Sequence, residues 1–312
     1  MFFKNLLIYH VNLPSLTPDS LELALDSDRA KACTKHDLET CGFVSPFTGR
    51  PDGLLVHAAA GHMLMAFQSE TKILPPSVVR DAVKEKVDQI QEAEGRPVLR
   101  KERAQIRDEI ILELLPRAFT KKSVLNAFFT SDLKFLVVDA TTGTKAEIFM
   151  SHLRMALGTL PAIPLKCKGS PEAEMTCWLD NGRENAPDGF TVGRSCELHN
   201  PLEAGSAIRC KDVDLDSEEV QACLESGMRC TKLHIDWQEK LSFMMNNDLT
   251  FRGLRFGDVL FEEADESDDE RAQRDAHFVL MAGTVREFIT HILAALDKKD
   301  GPDQLDMVGD AA

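Results

Sequence analysis

The sequence lacks the short motifs that mark the commonest enzyme sites. It contains no GxxxxGKS/T, GxGxxG, GxSxG or HExxH pattern, which excludes the phosphate loops, serine elbows and zinc helices that those motifs form. Its eight cysteines include no CxxC pair. Cys33, His36 and Cys41 have the spacing of half a metal site, but no second half follows. We therefore expect no cofactor, no bound metal and reduced thiols.

Long apolar runs are also missing. No stretch reaches the ~18 uncharged apolar residues of a membrane span, so we expect no membrane partner. The opening MFFKNLLIYHVNL is interrupted by Lys4 and His10 and has no small-residue cleavage site, which indicates a first strand instead of an export signal. These absences predict a cytoplasmic protein.

Aromatic residues are scarce, because they make up 6% of the chain and tyrosine occurs once. The core must therefore be largely aliphatic, in a chain of 312 residues that is long enough for two or three domains. Scarce aromatics also disfavour stacking on unpaired bases as the main mode of any nucleic-acid binding.

Positive charge is scarce overall but concentrated in one segment. The formal net charge is −15, from 36 Lys and Arg against 51 Asp and Glu. Residues 72–122 carry 12 Lys and Arg against 9 Asp and Glu, whereas residues 258–312 carry 5 against 15. An evenly acidic protein would repel nucleic acid, but this chain combines a cationic island with an acidic C-terminal region.

The first half of the chain predicts mixed strands and helices. KNLLIYHVNL and GHMLMAFQSETKIL have the pattern of strands, and a helix starts after Thr17 with Pro18 in its first position. The segment from SDLKFLVVDA to LGTLPAIPLK indicates strand, helix and strand. We expect a capping box from Thr144 to Glu147 and a helix end at Gly158.

Residues 75–116 change character, and they predict two helices inserted between the strand-rich segments. The first helix has apolar residues at helical spacing and ends at Gly95, and the second restarts at Arg96 and closes at Pro116. A short turn between two helices predicts an antiparallel hairpin. Its thin apolar stripe and high charge density indicate a small separate lobe.

The last part of the chain repeats the strand–helix–strand order. AIRCKDVDLDSEEVQACLESGMRCTKLHIDW is capped at Asp216 or Ser217, and LSFMMNNDLTFRGLRFGDVLFEE predicts a strand hairpin turning near residues 246–248. ADESDDERAQRD is typical of a charged connector, HFVLMAGTVREFITHILAALDKK predicts strand then helix, and DGPDQLDMVGDAA predicts a disordered tail. The fold class is therefore α+β.

Two carboxylates and a tryptophan permit alternative interpretations. Asp139 at a strand end and Glu147 at the next helix start could hold Mg²⁺ in a nuclease-like site. Roles in a turn and in a helix cap explain them better. Trp237 is more typical of a core or interface residue than of ligand stacking.

The positive signal lies in the second inserted helix. Its arginines are spaced 4, 3 and 4 residues apart, so they fall on one helical face, at Arg96, Arg100, Arg103 and Arg107. No acidic residue occupies the neighbouring positions on that face around the last three. An unpaired arginine stripe suits phosphate contacts, although an ordinary solvated face remains an alternative.

The segment LLPRAFTKK extends this charge beyond the second helix. Arg117, Lys121 and Lys122 surround Phe119 just after Pro116. Phe119 could pack under the two helices, anchor another subunit or stack on an unpaired base. The scarcity of other aromatics disfavours the last of these.

Six segments, in this order, make the chain similar to the bacterial recombination-associated RdgC family. They are FKNLLIYHVN, TKILPPSVVRDAV, LLPRAFTKKS, LGTLPAIPL, TKLHIDWQEKLSFMM and DAHFVLMAG, and they span nearly the whole length. The resemblance implies a non-enzymatic, ring-forming homodimer that encircles double-stranded DNA without marked sequence preference. It further implies restraint of RecA-promoted strand exchange, a part in replication fork maintenance, nucleoid association and weaker binding of single-stranded DNA.

The resemblance also implies an arrangement of regions. These are a central α+β region (1–74 and 117–165), a helical-hairpin tip (75–116), a base α+β region (166–300) and a disordered tail (301–312). Phe119 belongs at or near a contact that closes the ring between subunits. DNA contacts are expected at Arg96, Arg100, Lys101, Arg103, Arg107, Arg117, Lys121, Lys122, Arg209 and Lys211.

One departure weakens the expected DNA affinity, because Asp212 stands where more positive charge is expected for this family. A second hypothesis is therefore an acidic protein–protein adaptor that acts on RecA without binding DNA directly. A metal-dependent nuclease is a distant third.

Overall fold

The computed structural model describes residues 2–180, 186–203, 205–258 and 270–297. Within these residues, twelve strands form one sheet and seven α-helices accompany it. All pairings between named strands are antiparallel. The predicted α+β class is confirmed. The tail at 301–312 lies outside the described residues.

The strands follow the chain in the order of their numbers. They are β1 (Asn5–Val11), β2 (Glu39–Val44), β3 (Val56–Ala59), β4 (His62–Lys72), β5 (Thr120–Phe129), β6 (Phe135–Val138), β7 (Ala162–Pro164), β8 (Phe190–His199), β9 (Ala207–Cys210), β10 (Arg229–Trp237), β11 (Leu241–Asn246) and β12 (Phe251–Phe256). Across the sheet the order is β2-β4-β5-β6-β1-β12-β11-β10-β8-β9, while β3 pairs with β4 and β7 with β1.

The helices fill the connections between these strands. They are α1 (Pro18–Asp26), α2 (Pro76–Glu94), α3 (Arg100–Leu114), α4 (Gly143–Leu157), α5 (Pro171–Leu179), α6 (Glu218–Glu225) and α7 (Glu270–Leu296). A 3-10 turn, Leu115–Arg117, follows α3 and contains the proline that was predicted to end this helix.

The two main cores lie on opposite faces of the sheet, one mostly against the base half (β8–β12) and the other against the central half (β1–β7). On β1, Leu6 stands opposite Phe251 of β12 and belongs to the core that includes the buried residues of α5, α6 and α7. The next residue, Leu7, points to the other face and belongs to the core of α1 and α4. β1 therefore contributes to both cores and joins the two halves of the sheet.

Helix α7 covers the base half of the sheet. One prediction about this helix was wrong. HFVLMAG was expected to be a strand, but it lies inside one continuous helix, because Phe278, Val285 and Phe288 recur at helical spacing and are buried in the core. The segment Ala272–Leu296 is long and apolar enough to cross a membrane by length and composition, with a mean hydropathy of 1.4. Its buried side chains instead pack against the sheet, where Phe288 contacts Trp237, Phe243 and Phe251. Trp237 is a core residue, as predicted.

The observed helix caps match some of the caps that were predicted from the sequence. The Thr17 side chain accepts a hydrogen bond from the Ser20 N–H, and Pro18 begins α1 as expected. The predicted capping box at Thr144 is wrong, because α4 starts at Gly143 after Thr142 and Thr144 already lies in its first turn. Ser217 precedes α6 and Gly158 follows α4, as predicted.

Helices α2 and α3 lie between β4 and β5 and bury a small core of their own. Its buried members are five aliphatic residues at helical spacing, Val79, Val83, Val87, Ile106 and Ile110. Gly95 ends α2 in the left-handed conformation, with φ +63°, where a side chain would strain the turn. The two helices therefore pack together through side chains that no other core cluster shares.

Candidate nucleic-acid interface

Three arginines of α3 are exposed and free of carboxylates. Among the described residues, no acidic oxygen lies within 4.0 Å of the guanidinium groups of Arg100, Arg103 or Arg107. Lys101 beside them is exposed as well. The prediction of an unpaired stripe therefore describes these three arginines correctly.

Arg96 does not belong to this stripe. The second helix starts at Arg100 and not at Arg96, because Leu99 is its N-cap and residues 96–99 form the turn. Arg96 Nε lies 2.7 Å from Glu94 Oε2, and its Nη2 lies 2.7 Å from Glu102 Oε1. The predicted free guanidinium is thus neutralised by two carboxylates, and their hydrogen bonds raise the arginine pKa above its ordinary value. Both acidic residues are close in sequence, but only the turn brings them together.

The free arginines line a groove between α2 and α3. This groove has a volume of about 550 Å³, and Arg80 of α2 joins Arg100, Arg103 and Arg107 around it. Its remaining lining is apolar, with Leu38, Leu74, Pro76, Val79, Val83, Ala104 and Ile111. Arginine stems can lie along such a surface while their charged ends stay in water. The groove therefore combines an apolar floor with a cationic rim.

The start of β5 extends the positive charge onto the sheet. Lys121 and Lys122 are exposed, and they stand opposite Thr71 and Glu70 of β4. Lys122 Nζ lies 4.0 Å from the Glu70 carboxylate, whose side chain is only 7% exposed. Arg117 is exposed and, among the described residues, makes no ion pair. Three of the predicted cations thus lie where α3 rejoins the sheet.

Phe119 lies beside these cations and is 83% exposed, so it does not pack under the helices. Its carbonyl oxygen accepts a hydrogen bond of 2.7 Å from the Ile73 N–H, which ties it to the end of β4. Ile73, Val78 and Leu38 are exposed as well, and Leu38 also lines the groove. An apolar patch therefore adjoins the groove, as is typical of a protein contact surface.

Of the two predicted cations of the base half, Arg209 is neutralised by a carboxylate and Lys211, within the described residues, is not. Arg209 of β9 places its Nε 2.8 Å from Glu197 Oε2, and Lys232 of β10 places its Nζ 3.0 Å from the same oxygen. Burial alone would raise the pKa of Glu197, but the hydrogen bonds of Lys232 and Arg209 hold it below its ordinary value. Lys211 is exposed, and among the described residues no ion pair includes it.

Asp212, the residue that departs from the expected charge, has a local partner. Its carboxylate lies 2.9 Å from Arg194 Nε, and its backbone has a φ of +53°. Asp212 therefore lowers the positive charge of this surface in two ways. It stands where the family is expected to have a cation, and it neutralises Arg194.

Two further cations were missed by the sequence analysis. Arg252 of β12 stands opposite Asn5 and Met244, and Arg255 stands opposite Ser242. Both are exposed, and neither forms an ion pair within the described part of the chain. They share the sheet face that Arg209 and Lys232 occupy, opposite the face that packs on α7. The segment FRGLRF does not alternate strictly, because Arg252 and Arg255 are three residues apart and share a face through an irregularity in the β11–β12 register. Sequence alternation alone therefore did not reveal them.

Asp139, one of the two carboxylates considered for a metal site, makes a structural contact. The Asp139 carboxylate accepts hydrogen bonds from the backbone N–H groups of Lys4 and Asn5, at 3.3 and 2.9 Å. Burial raises the pKa of this carboxyl group, although those hydrogen bonds oppose the shift. In the described residues, no group of three or more His, Cys, Asp or Glu side chains is placed to hold a metal ion. Asp139 thus joins β1 to the end of β6.

Comparison with known proteins identifies the chain's relatives. Residues 1–299 match the model of a family described as "Putative exonuclease, RdgC". The chain is 42% identical over 305 residues to the recombination-associated protein RdgC of Pseudomonas aeruginosa, which covers 97% of this chain and 99% of that protein. Proteins with the same name in Pseudomonas fluorescens and Pseudomonas syringae pv. tomato are 42% and 41% identical over 306 residues, with the same coverage.

These matches extend over nearly the whole chain, and the name shared by the relatives links them to DNA recombination. The family description and the relatives' names differ on enzymatic activity, since only the former mentions an exonuclease. The chain belongs to the RdgC family of recombination-associated proteins.

Proposed function

We propose that this protein is a homodimer that closes into a ring around double-stranded DNA, binds it without sequence preference and restrains RecA-promoted strand exchange. It would act in the cytoplasm on the nucleoid, support replication fork maintenance and bind single-stranded DNA more weakly. The observation that carries the proposal is the exposed set Arg100, Arg103 and Arg107, which have no carboxylate partner among the described residues of a chain of net charge −15.

The free arginines are informative because the acidic residues of the same helix are placed away from them. The helix carries Glu102, Asp108, Glu109 and Glu113. None of these lies three or four residues from Arg100, Arg103 or Arg107, where a solvated helix normally places an ion-pair partner. Arginines kept apart from them remain available to phosphate oxygens, and phosphate contacts bind DNA of any sequence.

Self-association is supported by the surface beside these arginines. An exposed phenylalanine and an apolar groove occur on the same subunit, at Phe119 and between α2 and α3. In a two-fold dimer each surface patch is used twice, so Phe119 of one subunit can enter the groove of the other while that subunit reciprocates. We propose this contact between the helical-hairpin tips (75–116) and a second contact between the base regions (166–300).

A ring reconciles DNA binding with the acidic charge. Enclosure lets a few phosphate contacts retain DNA, because release requires opening of the ring or sliding off an end. The cations on α3 and β5, together with Arg252 and Arg255, would line the passage. The remaining acidic surface would keep DNA from binding outside it.

The test compares DNA of equal sequence in two topologies. Protein bound to a closed circular duplex should survive a high-salt wash, while protein on a short linear duplex should slide off. Linearising the circle with a restriction enzyme after loading should release the retained protein. Equal retention on both forms would contradict enclosure.

The same samples separate the other hypotheses. If the protein were an adaptor for RecA, plain duplex DNA would show no shift in a gel while RecA binding persisted. If it were a nuclease, DNA incubated with Mg²⁺ or Mn²⁺ would be shortened. We expect shifted and intact DNA.

A further inference from the structure

Four cysteines lie together at the β9 end of the sheet. Cys196 and Cys230 are buried members of the base core, and Cys210 and Cys223 are partly buried residues that pack against it. Two of the four belong to neighbouring strands, since Cys196 is on β8 and Cys210 is on β9. None of them takes part in the DNA contacts proposed above.

Cys196 and Cys210 stand directly opposite each other in the β8–β9 register. Opposite residues of antiparallel strands have Cα atoms about 4.5–5.5 Å apart, and their side chains point to the same face. A disulfide needs a Cα separation of about 4.4–6.8 Å. The backbone separation of this pair therefore lies in the range that a disulfide requires.

The two thiols differ in access to solvent. Cys196 is 2% exposed, and burial, with a further contribution from the neighbouring Cys210, raises the pKa of its thiol to about 12. Cys210 is partly exposed. A small oxidant in solution therefore meets Cys210 first. Cys196 stays protonated near neutral pH, so it reacts as the second thiol only because the register places it opposite Cys210.

We infer that Cys196 and Cys210 are a site of reversible oxidation, where peroxide produces a disulfide that fastens the edge strand β9 to β8. The Cys210 sulfur attacks peroxide and breaks its O–O bond, giving a sulfenic acid and one water. The Cys196 sulfur then attacks the Cys210 sulfur, and the sulfenic hydroxyl leaves with a proton as a second water. Two thiols are oxidised to one disulfide, and one peroxide is reduced to two waters.

The disulfide would hold a short edge strand of the sheet. β9 has four residues, stands at the end of the sheet order and, within the described chain, pairs with β8 alone. Short edge strands open locally at low cost. Cys210 directly follows Arg209, so the disulfide would also fix the backbone beside that cation. The inference does not depend on DNA binding.

Peptide mapping of the whole protein tests the inference. Protein treated with dilute hydrogen peroxide should lose two of its eight free thiols and regain them with dithiothreitol. Trypsin cleaves after Arg194, Arg209 and Lys211, so a map without reduction should join peptide 195–209 to peptide 210–211. Amide hydrogen exchange in residues 207–210 should slow on oxidation and recover on reduction.

Variants separate this pair from general thiol oxidation. Cys210→Ser should abolish the joined peptide and the slower exchange, while Cys177→Ser, which removes an exposed cysteine of α5, should change neither. Because Cys196 is buried, Cys196→Ser is a supporting variant only, and the wild-type map decides if it does not fold. A native, oxidised protein without the joined peptide, or with Cys210 linked to Cys223, would overturn the inference.

Discussion

Helix α3 and the base end of the sheet carry similar cations under different electrostatic conditions. On α3, Arg100, Arg103 and Arg107 have no acidic neighbour within ion-pairing distance among the described residues. In the base half, Glu197 holds Arg209 and Lys232, and Asp212 holds Arg194. A cation that already has a carboxylate gains less from phosphate. The comparison indicates that charge counts alone do not locate a DNA surface.

Removing the free arginines should have the largest effect. The triple change of Arg100, Arg103 and Arg107 to Ala should weaken duplex binding on the order of a hundredfold and lower the salt slope by about 3, because each phosphate contact contributes about 1. Titrations at several salt concentrations measure both. Lys84→Ala with Lys86→Ala is the control for lost charge, since these exposed lysines of α2 do not line the groove. An unchanged slope in the triple variant would remove α3 from the interface.

Replacing Phe119 tests whether the surface beside the free arginines is also a contact between subunits. Phe119→Ala should weaken self-association by about 2 kcal/mol, as expected for a central aromatic anchor, and reduce retention on circular DNA. Sedimentation at a series of concentrations measures the first effect. Leu23→Ala is the control, because Leu23 is an exposed apolar residue of α1 and lies outside both proposed contact regions, 75–116 and 166–300. Equal association of both variants would contradict the proposed contact.

Freeing Arg209 and Lys232 from Glu197 should have a smaller effect, and it should strengthen DNA binding. Glu197→Gln keeps the shape of the side chain but frees Arg209 and Lys232. If the open sheet face borders DNA, affinity should rise about threefold to tenfold and the salt slope should increase by about 1 to 2. Glu203→Gln, also in the base half, serves as a control for the lost negative charge. No difference between the two variants would restrict DNA binding to the α3 side.

Acid should remove the stabilisation that the ion pairs of Glu197 give to the folded protein. The folded-state pKa of Glu197 lies below its ordinary value of 4.5, so its ion pairs stabilise the fold above that value. This stabilisation is lost as the pH falls through the folded-state pKa, where the folded carboxylate finally binds a proton. Urea unfolding at pH 7 and near pH 3.5 should therefore show a smaller acid loss in Glu197→Gln than in the wild type. Equal losses would mean that the pair contributes nothing to stability.

Local sequence patterns predicted much of the fold. Strand β1, helix α1 with its Thr17 cap and the turn between β11 and β12 were correct, because each depends on neighbouring residues. The predicted strand at the start of α7 was wrong, since a helix that is apolar on several sides resembles a buried strand.

The site was less predictable, because ion pairs depend on how distant segments meet. Arg96 lost its place in the stripe through a turn that positions Glu94 and Glu102. Arg209 meets Glu197 only in the β8–β9 register, and Arg252 reaches the same sheet face through β11. The contacts of Arg209 and Arg252 join segments that are distant in the sequence, whereas those of Arg96 are local but depend on the conformation of the turn. For Phe119 the residues left three roles open, and the family resemblance favoured a subunit anchor. Its exposure excludes packing under the helices, and the anchor role stays a prediction.

The pairing of Lys72 with Thr120 has a consequence for how the molecule can be altered. These residues are opposite each other at the ends of β4 and β5, so the chain leaves the sheet and returns to it at one point. The segment between them contains α2 and α3 with their separate core, and it takes the place of the loop that connects two adjacent antiparallel strands. A tight turn could therefore replace this segment while β4 and β5 kept their register. The removed segment could likewise be inserted into the loop of another β-hairpin.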